Sequence, residues 1–240
     1  MKIIRSIAII FFNIVDKFVH QKKILFYLKK ITLEIDCFID VGSHKGTYTD
    51  LVIKNFKVRK ILMFEPQKKI YKLIKKKYNN VKSIKIFNNA ISNVQNNKRI
   101  YINRHDLTSS LSALNKKNNY IKIKSKIFGA NPNNMITESY ITKTLTLENT
   151  LKKEKIKKVE LLKIDTEGHE LEVLLGLKKN IKKIKIILIE FHNDDVYLNY
   201  NSKKISNYLK KNNFILKKKI KFPFTTWEDR LYVNKNIVNN

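Results

Sequence analysis

Three stretches of this chain carry residue types that can do chemistry. In Asp40-Val41-Gly42-Ser43-His44-Lys45-Gly46, two glycines follow an apolar run and permit a tight turn at which a ligand can approach the backbone closely. In Met63-Phe64-Glu65-Pro66, a carboxylate stands 23 residues after Gly42, where an acid can accept hydrogen bonds from both hydroxyls of a ribose. The third is a pair of acid-rich run ends, Lys163-Ile164-Asp165-Thr166-Glu167-Gly168-His169 and Leu188-Ile189-Glu190-Phe191-His192. Neighbouring strands would bring Glu190 and His192 near Asp165, and alternation puts Lys163 on the same side as Asp165.

The glycine turn lacks the middle glycine of G-x-G-x-x-G, the residue that lets a pyrophosphate touch the chain, so a dinucleotide is disfavoured. A ribose without a pyrophosphate is left. S-Adenosylmethionine meets that description, and its sulfonium tolerates a carboxylate such as Asp40 nearby. The candidate donor site is Asp40, Gly42, Ser43, Gly46 and Glu65, with Asn89-Ala90 at the adenine edge. Taken singly, a glycine turn, a strand-ending Glu and a turn-forming Asn are ordinary; their order and spacing are what point to a ligand.

Methyl transfer from a sulfonium needs alignment of the acceptor and removal of its proton, which a positioned imidazole or carboxylate accelerates about 10²–10⁴-fold. The candidate catalytic residues are Asp165, Glu190 and His192: His192 or Asp165 as base, Glu190 orienting the acceptor or the imidazole. Thr166 reads as a helix N-cap, with Glu167 at the positive end of that helix. Carboxylates with one imidazole also suit Mg²⁺ or Mn²⁺, but the spacing is not diagnostic and no metal is assigned. His44, His105 and His169 read as surface or capping residues, Cys37 as a small buried apolar residue and Trp227 as packing at the sheet edge.

The elements that must position these residues alternate. Apolar runs at 35–41, 60–64, 83–87, 159–164, 184–191, 214–222 and 230–234 read as strands, and segments 47–56, 68–78, 167–178 and 203–212 as helices. Strands alternating with helices predict an α/β fold with a mostly parallel sheet, which binds ligands at the carboxyl ends of its strands. Residues 91–92 and 99–102 flank a polar stretch and suggest an inserted hairpin. Periodicity fails between Asn103 and Thr142, which predicts a long unstructured substrate loop. Residues 1–34 read as a helical extension, amphipathic and basic, that packs on the domain or lies on a membrane surface; residues 35–240 form the main domain.

Composition bounds the rest. The 240 residues, 43% of them hydrophobic, suffice for a sizeable core, and one Cys rules out a disulfide scaffold. The net charge of +30 suggests nucleic acid or an anionic membrane, but the excess is Lys spread along the whole chain. Eight of the 20 acids fall within residues 160–195, against simple phosphate binding there. Nucleic acid is therefore disfavoured as a partner. No secretory signal pattern is present, which places the chain in the bacterial cytoplasm or at the inner face of the membrane.

With Asp40–Gly46, Phe64-Glu65-Pro66, Asn89–Ser92, Ser109-Ser110-Leu111, Thr146-Leu147-Glu148, Leu162–Gly176 and Ile189–His192 in place, the sequence resembles the FkbM family of S-adenosylmethionine-dependent methyltransferases over residues 35–235. Its most specific motif is the run from Lys163 to Leu171. The resemblance implies a Rossmann-like class I methyltransferase fold, with a seven-stranded sheet whose last strand is antiparallel. It also implies O-methylation of a sugar or other small-molecule hydroxyl, so the expected partner is a small-molecule or glycan acceptor. Ser43-His44 stands where many members have Ala-Asn, and Glu148 where members often have Asp. The rival readings are an RNA methyltransferase and a non-catalytic adenosyl-binding or membrane-surface module of a glycan assembly complex. Against the first, Asp165-Thr166-Glu167-Gly168 replaces the Asn/Asp-Pro-Pro-aromatic element that grips a flipped base.

Overall fold

The computed structural model describes residues 15–103, 109–127, 131–223 and 225–238. The chain enters through one π-helical turn, Asp16–His20, continuous with α1 (Gln21–Ile31). It then alternates through β1 (Cys37–Val41), α2 (Thr47–Asn55), β2 (Lys60–Phe64), α3 (Lys68–Lys77) and β3 (Ile84–Phe87). After the excursion of β4 (Ala90–Ile91), β5 (Asn97–Asn103), α4 (Asn119–Ile127), β6 (Ile136–Leu145) and α5 (Leu147–Lys153), the main sheet resumes. It continues with β7 (Val159–Ile164), α6 (Glu170–Leu175), β8 (Ile184–His192), α7 (Ser202–Lys211), β9 (Phe214–Lys221), β10 (Trp227–Asn234) and α8 (Lys235–Val238).

The seven-stranded sheet has the order β3-β2-β1-β7-β8-β10-β9. β1, β2, β3, β7 and β8 are parallel, and β10 runs antiparallel between β8 and β9. The strand order reverses beside β1, so the crevice at the carboxyl ends of β1 and β7 is where such a sheet takes a ligand. Register sets what meets there. Val41 pairs with Phe64 and Ile164, so Gly42, Glu65 and Asp165 leave the sheet side by side. Ile164 pairs with Ile189, placing Glu190 next to Asp165, and Asp229 sits directly opposite Glu190.

Both faces are covered, which is why the central strands are continuous apolar runs rather than alternating ones. On one face Ile39, Leu162, Ile164, Ile187 and Ile189 pack with Leu147, Leu151, Val173, Leu174, Ile205 and Leu209 from α5, α6 and α7. On the other, Phe38, Leu161, Ile186, Leu188 and Leu231 pack with Ile24 and Leu28 of α1 and Val52 and Ile74 of α2 and α3. Asp40, Lys163, Glu190 and Asp229 belong by alternation to this second face. It is apolar at the foot of the strands and charged at their carboxyl ends.

Three local expectations are corrected. Residues 91–92 and 99–102 do not form a hairpin with each other: β4 pairs parallel, and β5 antiparallel, with opposite sides of β6. The stretch 103–142 is not an unstructured loop, because α4, a 3₁₀ turn at Pro132–Asn134 and most of β6 lie within it. Thr166 does not cap a helix. Glu167 and Gly168 take left-handed backbone (φ 56° and 94°), and α6 begins only at Glu170. The Glu170 carboxylate reaches back to accept from Thr166 N, Thr166 Oγ1 and Gly168 N at 3.0–3.1 Å, satisfying donors that a helix start would leave open.

Candidate active site

The glycine turn is built against β7. Gly42 has φ 78°, and a Cβ there would overlap the carbonyl oxygen of Asp165, so only glycine lets the turn pass the neighbouring strand. Gly42 N–H and Ser43 N–H both donate to Phe64 O, at 3.0 and 3.1 Å, lashing the turn to β2. Gly46, at φ 77°, sits under the Tyr78 hydroxyl, which donates to Gly46 O at 2.9 Å. Ser43 Oγ donates to Phe64 O at 3.4 Å.

Beside this turn Glu65 is 2% exposed. One of its oxygens accepts from His44 N and the other from Gln67 N, both at 2.8 Å. Burial pushes its carboxyl up to about 7, against the two backbone hydrogen bonds that favour the ionised form. A carboxylate held in this way keeps lone pairs for further donors. Gly42, Glu65, Asn89 and Ala90 line one cleft, together with His44, Asp165, Thr166 and Glu167. Asp40, Ser43 and Gly46 do not line it. Asp40 is fully buried beneath it, where its Oδ2 accepts from Thr49 Oγ1 at 2.8 Å. Asn89 Nδ2 donates to Lys143 O at 3.1 Å. The cleft holds about 100 Å³, less than the roughly 300 Å³ at which small-molecule sites begin, so a nucleoside requires it to widen.

Beside Asp165 and Glu167, which line the cleft, lies an ordered charge cluster whose Lys163, Glu190 and His192 do not line it. Lys163 Nζ lies 2.8 Å from Asp165 Oδ2 and 4.3 Å from the Tyr48 ring centroid. Burial works against the ammonium, yet Asp165 and Asp40 hold Lys163 above its usual range. Burial likewise opposes the Asp165 carboxylate, but Lys163 keeps its pKa below the usual range. Glu190 goes the other way: burial, then the charges of Asp165, Glu167 and Asp229, raise it well above a carboxyl's ordinary value, and it hydrogen-bonds Asp165. The surroundings thus drive the two neighbouring carboxyls in opposite directions, Asp165 down and Glu190 up. His192 Nε2 lies 3.5 Å from Glu190 Oε2, its ring edge-on to Tyr197 and Tyr200 at 4.8 and 5.4 Å. Tyr200 Oη accepts from His192 N at 3.1 Å.

The acidic turn is clamped from the excursion. Ser110 Oγ donates to Thr166 O and Glu167 O at 3.1 and 2.6 Å, and Ser112 Oγ to Gly168 O at 2.8 Å. Asp229 accepts from His20 Nε2 at 2.8 Å and Tyr48 Oη at 3.1 Å. Ser110 was visible in sequence only through the family resemblance, and nothing in the sequence marked His20, Tyr48, Tyr197 or Asp229. His169 is buried against Ser92 Oγ at 3.0 Å, and burial lowers it to about 3, so it is neutral. Trp227 stacks on Phe222 and meets His20 edge-on, a packing role. Cys37 is buried and its thiol is pushed up to about 12 by that burial. His105 lies outside the described residues.

The methyltransferase FkbM domain family matches residues 40–216. No curated protein matches the sequence. Among solved structures, the methyltransferase FkbM of Methylobacillus flagellatus KT gives a TM-score of 0.53 at 13% identity, over 82% of this chain and 43% of that one. The chain therefore spans less than half the length of that protein. A putative rRNA-methylase from Clostridium thermocellum gives 0.51 at 12% identity, over 89% and 94% of the two chains. The TrmK of M. capricolum, solved with S-adenosylhomocysteine, gives 0.48 at 13% identity, over 88% and 68%. At these identities the likeness is one of fold.

Proposed function

The chain belongs to the methyltransferase FkbM domain family, and from that premise we propose that it transfers the methyl group of S-adenosylmethionine to a hydroxyl of a sugar or glycan-like small molecule. The observation that carries this reading is the cradle of Gly42 and Glu65 opening onto Asp165: a glycine bend without a phosphate-binding loop, an acid placed for a ribose, and a proton-handling cluster at its far end. When bound, the donor supplies a methyl carbon on a good leaving group. The chain supplies the rest. Glu65 fixes the ribose, Gly42 admits the donor close to the backbone, and Asn89 and Ala90 flank the base.

Of the three residues at the acceptor end, Asp165 is the weakest base because Lys163 stabilises its ionised form. Glu190, raised by burial first and then by its acidic neighbours, is suited to orienting the acceptor oxygen. With no cation bound, His192 Nε2 is the group left to take the hydroxyl proton. The acidic floor argues against a nucleic-acid backbone as acceptor, since Asp165 and Glu167 would face its phosphates. Incubation with methyl-labelled S-adenosylmethionine and panels of glycans, lipids and RNA tests the reading. Label in a glycan supports it; label in RNA alone, or donor binding without any transfer, overturns it.

Among the described residues no helix is long and apolar enough to cross a membrane. We further propose a peripheral contact. Phe18 and Phe26 are each 53% exposed and border a groove lined by Lys22, Lys23, Lys218, Lys219 and Lys221. Apolar side chains ringed by lysines match an anionic lipid surface at the inner membrane. Co-sedimentation with vesicles containing phosphatidylserine, but not with neutral ones, is the expected result.

A further inference from the structure

We propose that Glu167, Glu190 and His192 form a divalent-cation site of the Mn²⁺ type next to Asp165, with Glu167 on the wall of the cleft. One ligand atom from each residue lies within 4.8 Å of the others, and His192 Nε2 and Glu190 Oε2 are 3.5 Å apart. Ligands at about 2.1–2.2 Å from a common ion stand roughly 3 Å apart when adjacent and just over 4 Å when opposite, so small side-chain rotations close the set.

Two of these atoms are buried without a hydrogen bond and face each other at 3.5 Å. Glu190 and His192 are 7% and 6% exposed, and among the described residues neither Glu190 Oε2 nor His192 Nε2 makes a hydrogen bond. A buried polar atom left in this way carries a desolvation cost that a ligand would offset. Both are held so that they face one point. They stand two apart on β8, hence on one side of it. Glu167 projects from its left-handed turn and accepts the Tyr197 hydroxyl, while Tyr200 takes the His192 backbone N–H. Outer partners of this kind fix ligand orientation at metal sites.

The charge around the three residues favours a cation. Asp165, Glu167 and Asp229 all act on Glu190, and the buried cation beside them, Lys163, is already paired with Asp165 at 2.8 Å. Two carboxylates and one imidazole are a mixed oxygen–nitrogen set. Mg²⁺ takes oxygen almost exclusively and structural Zn²⁺ prefers Cys and His, so Mn²⁺ is the best match.

A cation here would orient the acceptor hydroxyl and lower its pKa. An imidazole whose Nε2 ligates an ion cannot take a proton there, so His192 would be a ligand and the proton would pass from the hydroxyl to Asp165. A weak base suffices for a cation-bound hydroxyl. This catalytic use rests on the methyl-transfer reading; the binding does not.

The test uses the whole chain, freed of metal by chelator and titrated with MnCl₂ in the absence of donor and acceptor. The electron paramagnetic resonance signal of free Mn²⁺ should fall by one equivalent per chain, and Glu190→Gln and His192→Asn should each weaken binding at least tenfold. If either variant fails to fold, the unaltered protein decides: bound Mn²⁺ must broaden the His192 ring resonances before those of any other histidine. No binding at millimolar Mn²⁺, undiminished binding by folded variants, or a sharp His192 signal with Mn²⁺ bound overturns the site. Donor binding, measured by calorimetry without Mn²⁺, is unaffected by such a failure, so the two readings fail separately.

Discussion

At the scale of single residues, Glu65 makes the sharpest claim. Its folded pKa of about 7 exceeds the ordinary 4.5 because burial disfavours the carboxylate. Between those values the folded chain holds the proton more tightly than the unfolded one. Ionised Glu65 therefore costs nothing below about pH 4.5, and its cost grows as pH rises towards 7, reaching on the order of 3 kcal/mol. Donor affinity should run the opposite way, because ribose hydroxyls need the ionised form as acceptor. We expect S-adenosylmethionine to bind about thirtyfold more weakly at pH 5.5 than at pH 8, and Glu65→Gln to bind weakly at both, as read by calorimetry. Denaturant unfolding at the same two pH values should show the Glu65→Gln variant gaining stability over the parent chiefly at pH 8. Gly42→Ala sets a Cβ against Asp165 O at φ 78° and should cost more than about 2 kcal/mol in the same unfolding measurement. His192→Asn should lower kcat about 10²–10⁴-fold while leaving donor affinity within about threefold. These residues were legible because each ends a strand, and position in sequence then gives position in space. The raised pKa of Glu190 was not, since it comes first from burial and then from Asp165, Glu167 and Asp229, the last lying opposite it 39 residues further along.

At the scale of elements, the buried strands were the easiest to read: 60–64 and 159–164 match β2 and β7 at both ends. A strand covered on both faces must be apolar throughout, so its run shows directly. The excursion was misread because β4 and β5 have no partner within reach of one another; their partner β6 comes some 40 residues later. The helix after β7 was read three residues early, since Glu167-Gly168 carry helix-start chemistry while adopting a left-handed turn. The N-terminal helix has the larger consequence. Ile24 and Leu28 are 0% and 1% exposed, packed in one cluster with Phe38 and Ile186, and His20 bonds Asp229 behind the site. Leu28→Ala should therefore cost about 2–5 kcal/mol, read by chemical denaturation. A surface helix would lose well under 1 kcal/mol.

Over the whole molecule, charge and fold separate. The net +30 lies on lysines of exposed helix faces, such as Lys69, Lys72, Lys75 and Lys76 of α3, whereas Asp165 and Glu167 line the cleft with Glu190 buried beside them. Methyl transfer to a neutral glycan should thus change less than about twofold between 50 and 200 mM salt. Binding carried by phosphate contacts would fall 10³–10⁵-fold over that range, so the salt dependence of labelled transfer distinguishes the two acceptors. The alternation of strands and helices, the glycine bend and the acid after β2 can be read from the residue order alone, because these depend on neighbours a few residues away. It took the folded chain to show which carboxyl is pushed up and which down, what clamps the acidic turn, and that Glu167 joins Glu190 and His192. Those depend on burial and on charges that sheet order brings together, and neither is a property of any one segment.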